Sequence, residues 1–134
     1  MRIVLDASVA VSAVRSNEPF HAASRARVSR VFSGADTIVV PALFFIEVGS
    51  ALARAGESLE AARTYVGAFH RVAERIVTIG PKTAMRMRDA AMSTLLRAAD
   101  ATYAWTAAKE GVPLCTLDRE LRDRGCHLCS IIGP

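Results

Sequence analysis

The sequence predicts an α/β fold in which a parallel sheet of five strands lies between helical layers. Three observations carry this reading. Short apolar runs such as "RIVLD", "DTIVVP" and "RIVTIG" have the length and β-branched content of buried strands. Longer stretches with apolar residues at helical spacing stand between them. Strands that alternate with helices pair in parallel, because a parallel return requires a crossover. With 134 residues, 51% of them hydrophobic and 22% charged, the chain has globular composition and reads as one domain, 1–134.

In chain order, "RIVLD" is the first strand, bounded by a polar break. "SNEPF" supplies turn residues and leads into Phe20, Ala23, Val28 and Val31, spaced for one helical face. "DTIVVP" is the second strand, ended by Pro41. "ALFFIEVGSALARAG" reads as a helix closing at Gly56, where a glycine commonly terminates a helix. Ser58 can cap the next helix, whose Leu59, Ala62, Val66, Phe69 and Ala73 form an apolar stripe. "RIVTIG" is the third strand, stopped by Gly80 and Pro81. Residues 83–97 form a helix with Met85, Met92 and Leu96 inward, the methionines filling core space. "DATYAWTAAKEG" is a helix ended by Gly111, "PLCTL" the fourth strand, "DRELRDRG" a short helix and "HLCSII" the fifth strand. No repeat, low-complexity tract or long linker divides the chain.

No apolar run is long enough to cross a bilayer. No charged leader precedes an apolar segment and cleavage site, since Asp6 interrupts the one candidate. The expectation is a soluble, cytoplasmic protein with no membrane association. Net charge is +4, carried by 15 arginines and 2 lysines. The planar guanidinium suits phosphate, which gives weight to a nucleic-acid partner, although GC-rich coding produces the same bias. Cys115, Cys126 and Cys129 include one C-x-x-C with no second pair, so small buried thiols are expected rather than a zinc site. Phosphate-cradling glycine loops, G-x-S-x-G and a D-x-D after the first strand are all absent, and His21, His70 and His127 have no triad context.

Most of the 13 acidic residues sit in polar company. Glu18, Asp36, Glu57, Glu60 and Asp123 read as solvated charges or helix-end carboxylates. Four do not. Asp6 follows the buried run "RIVL", Glu47 interrupts "LFFIEVGSAL", Asp100 sits in "RAADATYAW", and Asp118 ends "PLCTLD". An ionised carboxylate is costly to bury uncompensated. Asp6 and Asp118 fall just past the carboxyl ends of parallel strands, the edge where open α/β sheets form ligand crevices. Asp100 falls at a helix start, and Glu47 two turns into the helix after the second strand, so all four could converge there.

Each also has a structural alternative. Asp100 could be an N-cap, Asp118 could cap the "RELRDRG" helix, Glu47 could extend from a helix flank, and Asp6 could bond Ser8 in an Asx-type turn. Convergence of four negative charges requires protons or a cation. A donor set of carboxylates alone, without His or Cys, favours a hard ion such as Mg²⁺ or Mn²⁺, which serves phosphate chemistry.

With those residues assembled, nearly the whole chain resembles a PIN domain, in particular the toxin ribonucleases of the VapBC type. "IVLDAS" resembles the family's opening strand and first acid, "VPALFFIEVGSAL" its P-x-x-x-x-x-E-V-x-x-A-L helix, and "AADATYAWTAAKEGVPLCTLDREL" its D-A-x-Y-x-x-x-A segment leading into T-x-D. The resemblance implies that Asp6, Glu47, Asp100 and Asp118 form an acidic quartet that holds Mg²⁺, with Mn²⁺ able to substitute. It implies that Ser8 and Thr116 orient carboxylates or metal-bound water, although turn formation and strand propensity also account for them. It further implies cleavage of single-stranded RNA regions, a homodimer and an inhibiting VapB-type antitoxin. Trp105, where the family usually has a smaller aliphatic residue, and Cys115, commonly valine, depart from the pattern. Arg15 and Arg119 are among the candidates for holding the RNA backbone. Two rival functions are a catalytically silent RNA-binding PIN-like module and a metal-dependent DNA nuclease.

Overall fold

The computed structural model describes residues 1–134. Five strands and seven helices follow in the order β1 (Arg2–Leu5), α1 (Ala7–Ser12), α2 (His21–Phe32), β2 (Thr37–Pro41), α3 (Leu43–Arg54), α4 (Leu59–Val72), β3 (Arg75–Val77), α5 (Pro81–Thr94), α6 (Ala98–Glu110), β4 (Leu114–Cys115), α7 (Arg119–Gly125) and β5 (Ile131–Ile132). All strands pair in parallel, in the spatial order β3-β2-β1-β4-β5. Ile3, Val4 and Leu5 are all fully buried. Successive strand residues face opposite sides of a sheet, so helices must cover both faces. The predicted α/β class, strand number and parallel pairing are those observed.

The strand order fixes where a site can lie. The chain leaves β1 towards β2 and β3, then returns to place β4 and β5 on the other side of β1. The reversal falls between β1 and β4, paired through Val4 with Leu114 and Leu5 with Cys115. A crevice opens at such a point because the connections after the two strands run to opposite sides. Helix α6 packs against β1, β2 and β4 and buries Ala101, Ala104 and Ala107, small residues that let it approach the sheet closely, together with the large Tyr103.

Several local expectations need correction. Met85 and Met92 lie on the exposed flank of α5, 50% and 69% accessible, while Met87 and Ala90 turn inward. Helix α5 starts at Pro81, the residue type suited to a first helical position, and ends before Leu95, whose φ of 58° is left-handed. Leu96 beyond it is buried as expected. Ser58 caps α4 by accepting from the Ala61 amide at 3.0 Å, but Leu59 at the start of the predicted stripe is exposed. The fifth strand is only Ile131–Ile132, because Leu128 and Cys129 donate back to the Gly125 carbonyl and make residues 126–129 a turn. Cys115 is buried as expected, whereas Cys129 is half-buried and Cys126 exposed.

Asp36 is a further correction. It is 2% exposed and not solvated: its carboxylate takes the Met1 ammonium at 2.8 Å, Arg27 at 2.9 Å and Arg30 at 2.9 Å. The hydrogen bonds from Arg30 hold it well below the usual carboxylate range, against the opposing effect of burial. No helix is long and apolar enough to cross a membrane.

Candidate active site

At the end of β1 the chain turns directly into α1, and Asp6 stands at the junction, 6% exposed. Its amide donates across the sheet to the Cys115 carbonyl at 3.0 Å, which fixes its position relative to β4. Its Oδ2 accepts from Ser8 Oγ at 2.5 Å and from Thr116 Oγ1 at 2.7 Å. The two hydroxyls are themselves held: Ser8 Oγ accepts from the Leu117 amide at 3.2 Å, and Thr116 Oγ1 from the Asp118 amide at 3.0 Å. Ser8 thus bonds Asp6 locally through its hydroxyl and also ties α1 to the segment after β4.

Asp118 opens α7. Its Oδ1 accepts from the Leu121 amide at 2.8 Å, so it does cap that helix, and its Oδ2 stays free of that bond. Asp100 is the third residue of α6 rather than its cap, a position that Arg97 takes with its backbone. The Asp100 Oδ2 is buried without a hydrogen-bond partner. Glu47 is the fifth residue of α3, one turn in and not two, and its Oε2 accepts from the buried Tyr103 hydroxyl at 2.5 Å. The Tyr103 hydroxyl thus ties Glu47 of α3 to α6.

The carboxylates act on one another. Burial raises Asp6 above the usual carboxylate range, the Ser8 and Thr116 hydrogen bonds oppose that shift, and the charge of Asp118 adds to it. Burial likewise raises Glu47, where the Tyr103 bond opposes and the charges of Asp6 and Asp100 add. Asp100 is raised by burial and by Asp118, with Arg97 opposing. The charges of all four acids therefore act within one electrostatic neighbourhood. They do not form a ready-made cage: no three acidic, His or Cys side chains already stand around a common ion position. What stands among them is Arg97. Its Nε is 3.4 Å from Asp100, outside hydrogen-bond geometry, and its Nη2 is 3.9 Å from Asp118 and 3.7 Å from Glu120.

Oxygen-only donors, mutual repulsion and an orphaned buried oxygen on Asp100 suit a hard divalent cation, which would take up what hydrogen bonds leave unsatisfied. A cleft of about 540 Å³ opens beside Glu47 and Asp118, with Ser8, Phe20, Ile46 and Arg54 along its walls. Asp6 and Asp100 do not line that cleft. Of the arginines singled out in the sequence, Arg15 pairs with Glu18 at 2.8 Å and the exposed Arg119 with Asp123 at 3.7 Å.

Two site residues escaped the reading by acid placement, Tyr103 and Arg97. Both lie three residues from Asp100, the spacing that puts side chains on one helix face, and that offset is the signal that would have found them. Trp105 is half-buried against the core, with Lys109 Nζ 4.9 Å from its ring centre.

The pattern of the PIN domain family matches residues 3–125. Among solved structures, PAE2754 from Pyrobaculum aerophilum superposes with a TM-score of 0.71 at 22% identity, over 99% of this chain and 89% of that one. VapBC2 from Rickettsia felis, bound to a DNA fragment from its promoter, gives 0.72 at 14% identity over 100% and 99%. Mycobacterium tuberculosis VapC20, a toxin that cleaves the Sarcin-Ricin loop, gives 0.70 at 16% identity over 90% and 93%. At these identities the likeness is one of fold. No curated protein matches the chain by sequence.

Proposed function

Because the chain belongs to the PIN domain family, we propose that it is a Mg²⁺-dependent endoribonuclease, the VapC-type toxin of a toxin–antitoxin pair. The observation that carries the proposal is the placement of Asp6. A buried acid at the sheet's reversal point, held by Ser8 and Thr116 and facing the charges of Asp118, Glu47 and Asp100, is a costly feature that a cation would compensate. Asp6, Asp100, Asp118 and Glu47 would hold Mg²⁺, and Mn²⁺ can substitute in an oxygen-only site. When bound, the ion supplies positive charge against the phosphodiester and acidifies an attacking water.

The chain's own residues do the positioning. Ser8 and Thr116 fix the Asp6 carboxylate by donating to its Oδ2. Tyr103 holds Glu47 by one oxygen in the same way. Asp118 uses one oxygen as a helix cap and presents the second. In each case a hydrogen bond from a neighbouring element restrains one carboxylate oxygen, a restraint that supports the preorganisation in-line attack on a phosphodiester needs. The likeness to VapBC2 and VapC20 supports a VapB-type antitoxin as partner and RNA as substrate, and we include a homodimer and a cytoplasmic location in the proposal.

Purified protein should cleave single-stranded RNA in Mg²⁺ and lose that activity in EDTA. Asp6→Asn and Asp100→Asn should each reduce cleavage at least about 100-fold, on the scale of a lost site charge. Wild-type turnover by both variants would refute the site. A preference for DNA oligomers would identify a DNA nuclease, and binding of RNA without cleavage a silent module.

A further inference from the structure

Arg97 is the one cation that forms ion pairs with the crevice acids, to Asp100 and Asp118. Its guanidinium spans Asp100 at 3.4 Å, Asp118 at 3.9 Å and Glu120 at 3.7 Å. All three are longer than a charge-assisted hydrogen bond of about 2.7–2.9 Å, so none locks the fork in place. Its side chain is 71% exposed, against 16% for Asp100. A cation that touches three carboxylates and is bound tightly by none is held by the field of the crevice, not by a specific partner. Its contacts to Asp100 and Asp118 fall on two of the four acids proposed to hold the metal. Guanidinium and divalent ion therefore make competing claims on the same oxygens.

We infer that Arg97 is the counter-ion of the metal-free crevice and that, when a divalent cation displaces it, its guanidinium swings outward to hold a phosphate of the substrate strand. The inference rests on the metal-dependent reading proposed above. Its geometry follows from the backbone. Arg97 occupies the cap position of α6, one turn before Asp100, so its long side chain pivots at the rim of the crevice. Displaced from Asp100 and Asp118, a mostly exposed guanidinium at that rim faces the path of a strand whose scissile phosphate lies over the carboxylates. Its fork matches two phosphate oxygens. Arg97 is thus a positioning residue for the reaction and a competitor for its metal.

The test compares wild type, Arg97→Gln, Arg97→Lys and Arg86→Gln, the last removing an exposed charge on α5 away from the crevice. Calorimetric titration with Mn²⁺ alone should show Arg97→Gln binding roughly five- to tenfold more tightly than wild type, the scale of exposed ion pairs summed over a small network. Arg86→Gln should bind Mn²⁺ as wild type does, and Arg97→Lys should stay close to wild type because the charge remains. With Mn²⁺ saturating, a short nuclease-resistant 2′-O-methyl oligonucleotide should bind Arg97→Gln more weakly. Its slope of log affinity against log salt should be shallower by about 0.7, the loss of one phosphate contact on a single strand. An unchanged Mn²⁺ affinity, or an unchanged salt slope, in Arg97→Gln overturns the inference alone. Wild type that takes up no Mn²⁺ overturns the metal reading and this inference with it.

Discussion

Asp6 carries two loads at once, a structural one through Ser8 and Thr116 and an electrostatic one from its neighbours. Asparagine separates them. It keeps an oxygen for the two hydroxyls and removes the charge. Asp6 has its folded pKa raised above the unfolded value of about 4. Its stability contribution is therefore intact below the unfolded pKa and is lost as pH rises through the folded one. In EDTA at neutral pH, Asp6→Asn should melt higher than wild type, by about 4 °C for each kcal/mol of repulsion relieved in a domain of this size. The gap should close as pH falls towards about 4, where the wild-type acid is protonated. Magnesium at a hundredfold excess over its Kd should add about 2.7 kcal/mol to wild type and less to the variant. Thermal melts over pH, with EDTA and with Mg²⁺, measure both. A variant that melts lower in EDTA and responds equally to Mg²⁺ would make Asp6 a hydrogen-bonding residue only.

At the scale of elements, α7 and α5 each allow a substitution pair that isolates one physical cause. Asp118 caps α7 through Oδ1. Asp118→Asn retains a capping oxygen and should keep wild-type stability while losing cleavage, whereas Asp118→Ala should lose cleavage and a further ~1 kcal/mol of stability. Denaturant melts beside cleavage assays separate cap from charge. In α5 the buried stripe runs through Met87, Ala90 and Thr94, with Met85 and Met92 outside it. Met87→Ala should cost about 2–4 kcal/mol by leaving a cavity, and Met92→Gln should stay within about 0.5 kcal/mol of wild type. The same helix shows why sequence reading reached some features and missed others. Helix α1, six residues long, is too short to show a helical period. The five strands, the helices from α2 to α7 and the unusual placement of four acids were legible because each rests on local pattern: apolar runs, periodicity, an acid where an apolar run continues. The phase of α5 was not, since methionines at 85, 87 and 92 fit two neighbouring faces equally and only packing against α6 chooses between them. The length of β5 failed for a related reason. "HLCSII" has strand composition throughout, but a tertiary turn onto the Gly125 carbonyl takes its first residues.

Over the whole molecule, Asp36 does for the fold what a cation would do for the crevice. It lies in "GADT", a polar context that hides its burial, because its compensating charges come from Met1, Arg27 and Arg30 and assemble only when the Met1 ammonium and α2 meet at Asp36. No local pattern announces such a hub. It also gives the protein two acid systems that answer pH in opposite senses. The crevice acids Asp6, Glu47 and Asp100 are raised, so without metal their contribution declines as pH climbs above about 4. Asp36 is lowered by its arginine hydrogen bonds, so its contribution is present above the unfolded value of about 4 and is lost as pH falls towards its folded pKa. Asp36→Asn should cost roughly 2 kcal/mol at neutral pH, where it removes a buried acceptor shared by three cations. That cost should shrink on acidification below about pH 4 as wild type loses the same interaction. The double variant Asp6→Asn, Asp36→Asn should show the two effects adding, since the residues share no hydrogen-bond partner. Chemical denaturation across pH in EDTA gives all three curves. An Asp36→Asn cost that stays constant through the acid range would mean that its carboxylate charge contributes nothing to holding α2 and Met1 together at Asp36, and that the ion pairs there are a consequence of the fold rather than one of its causes.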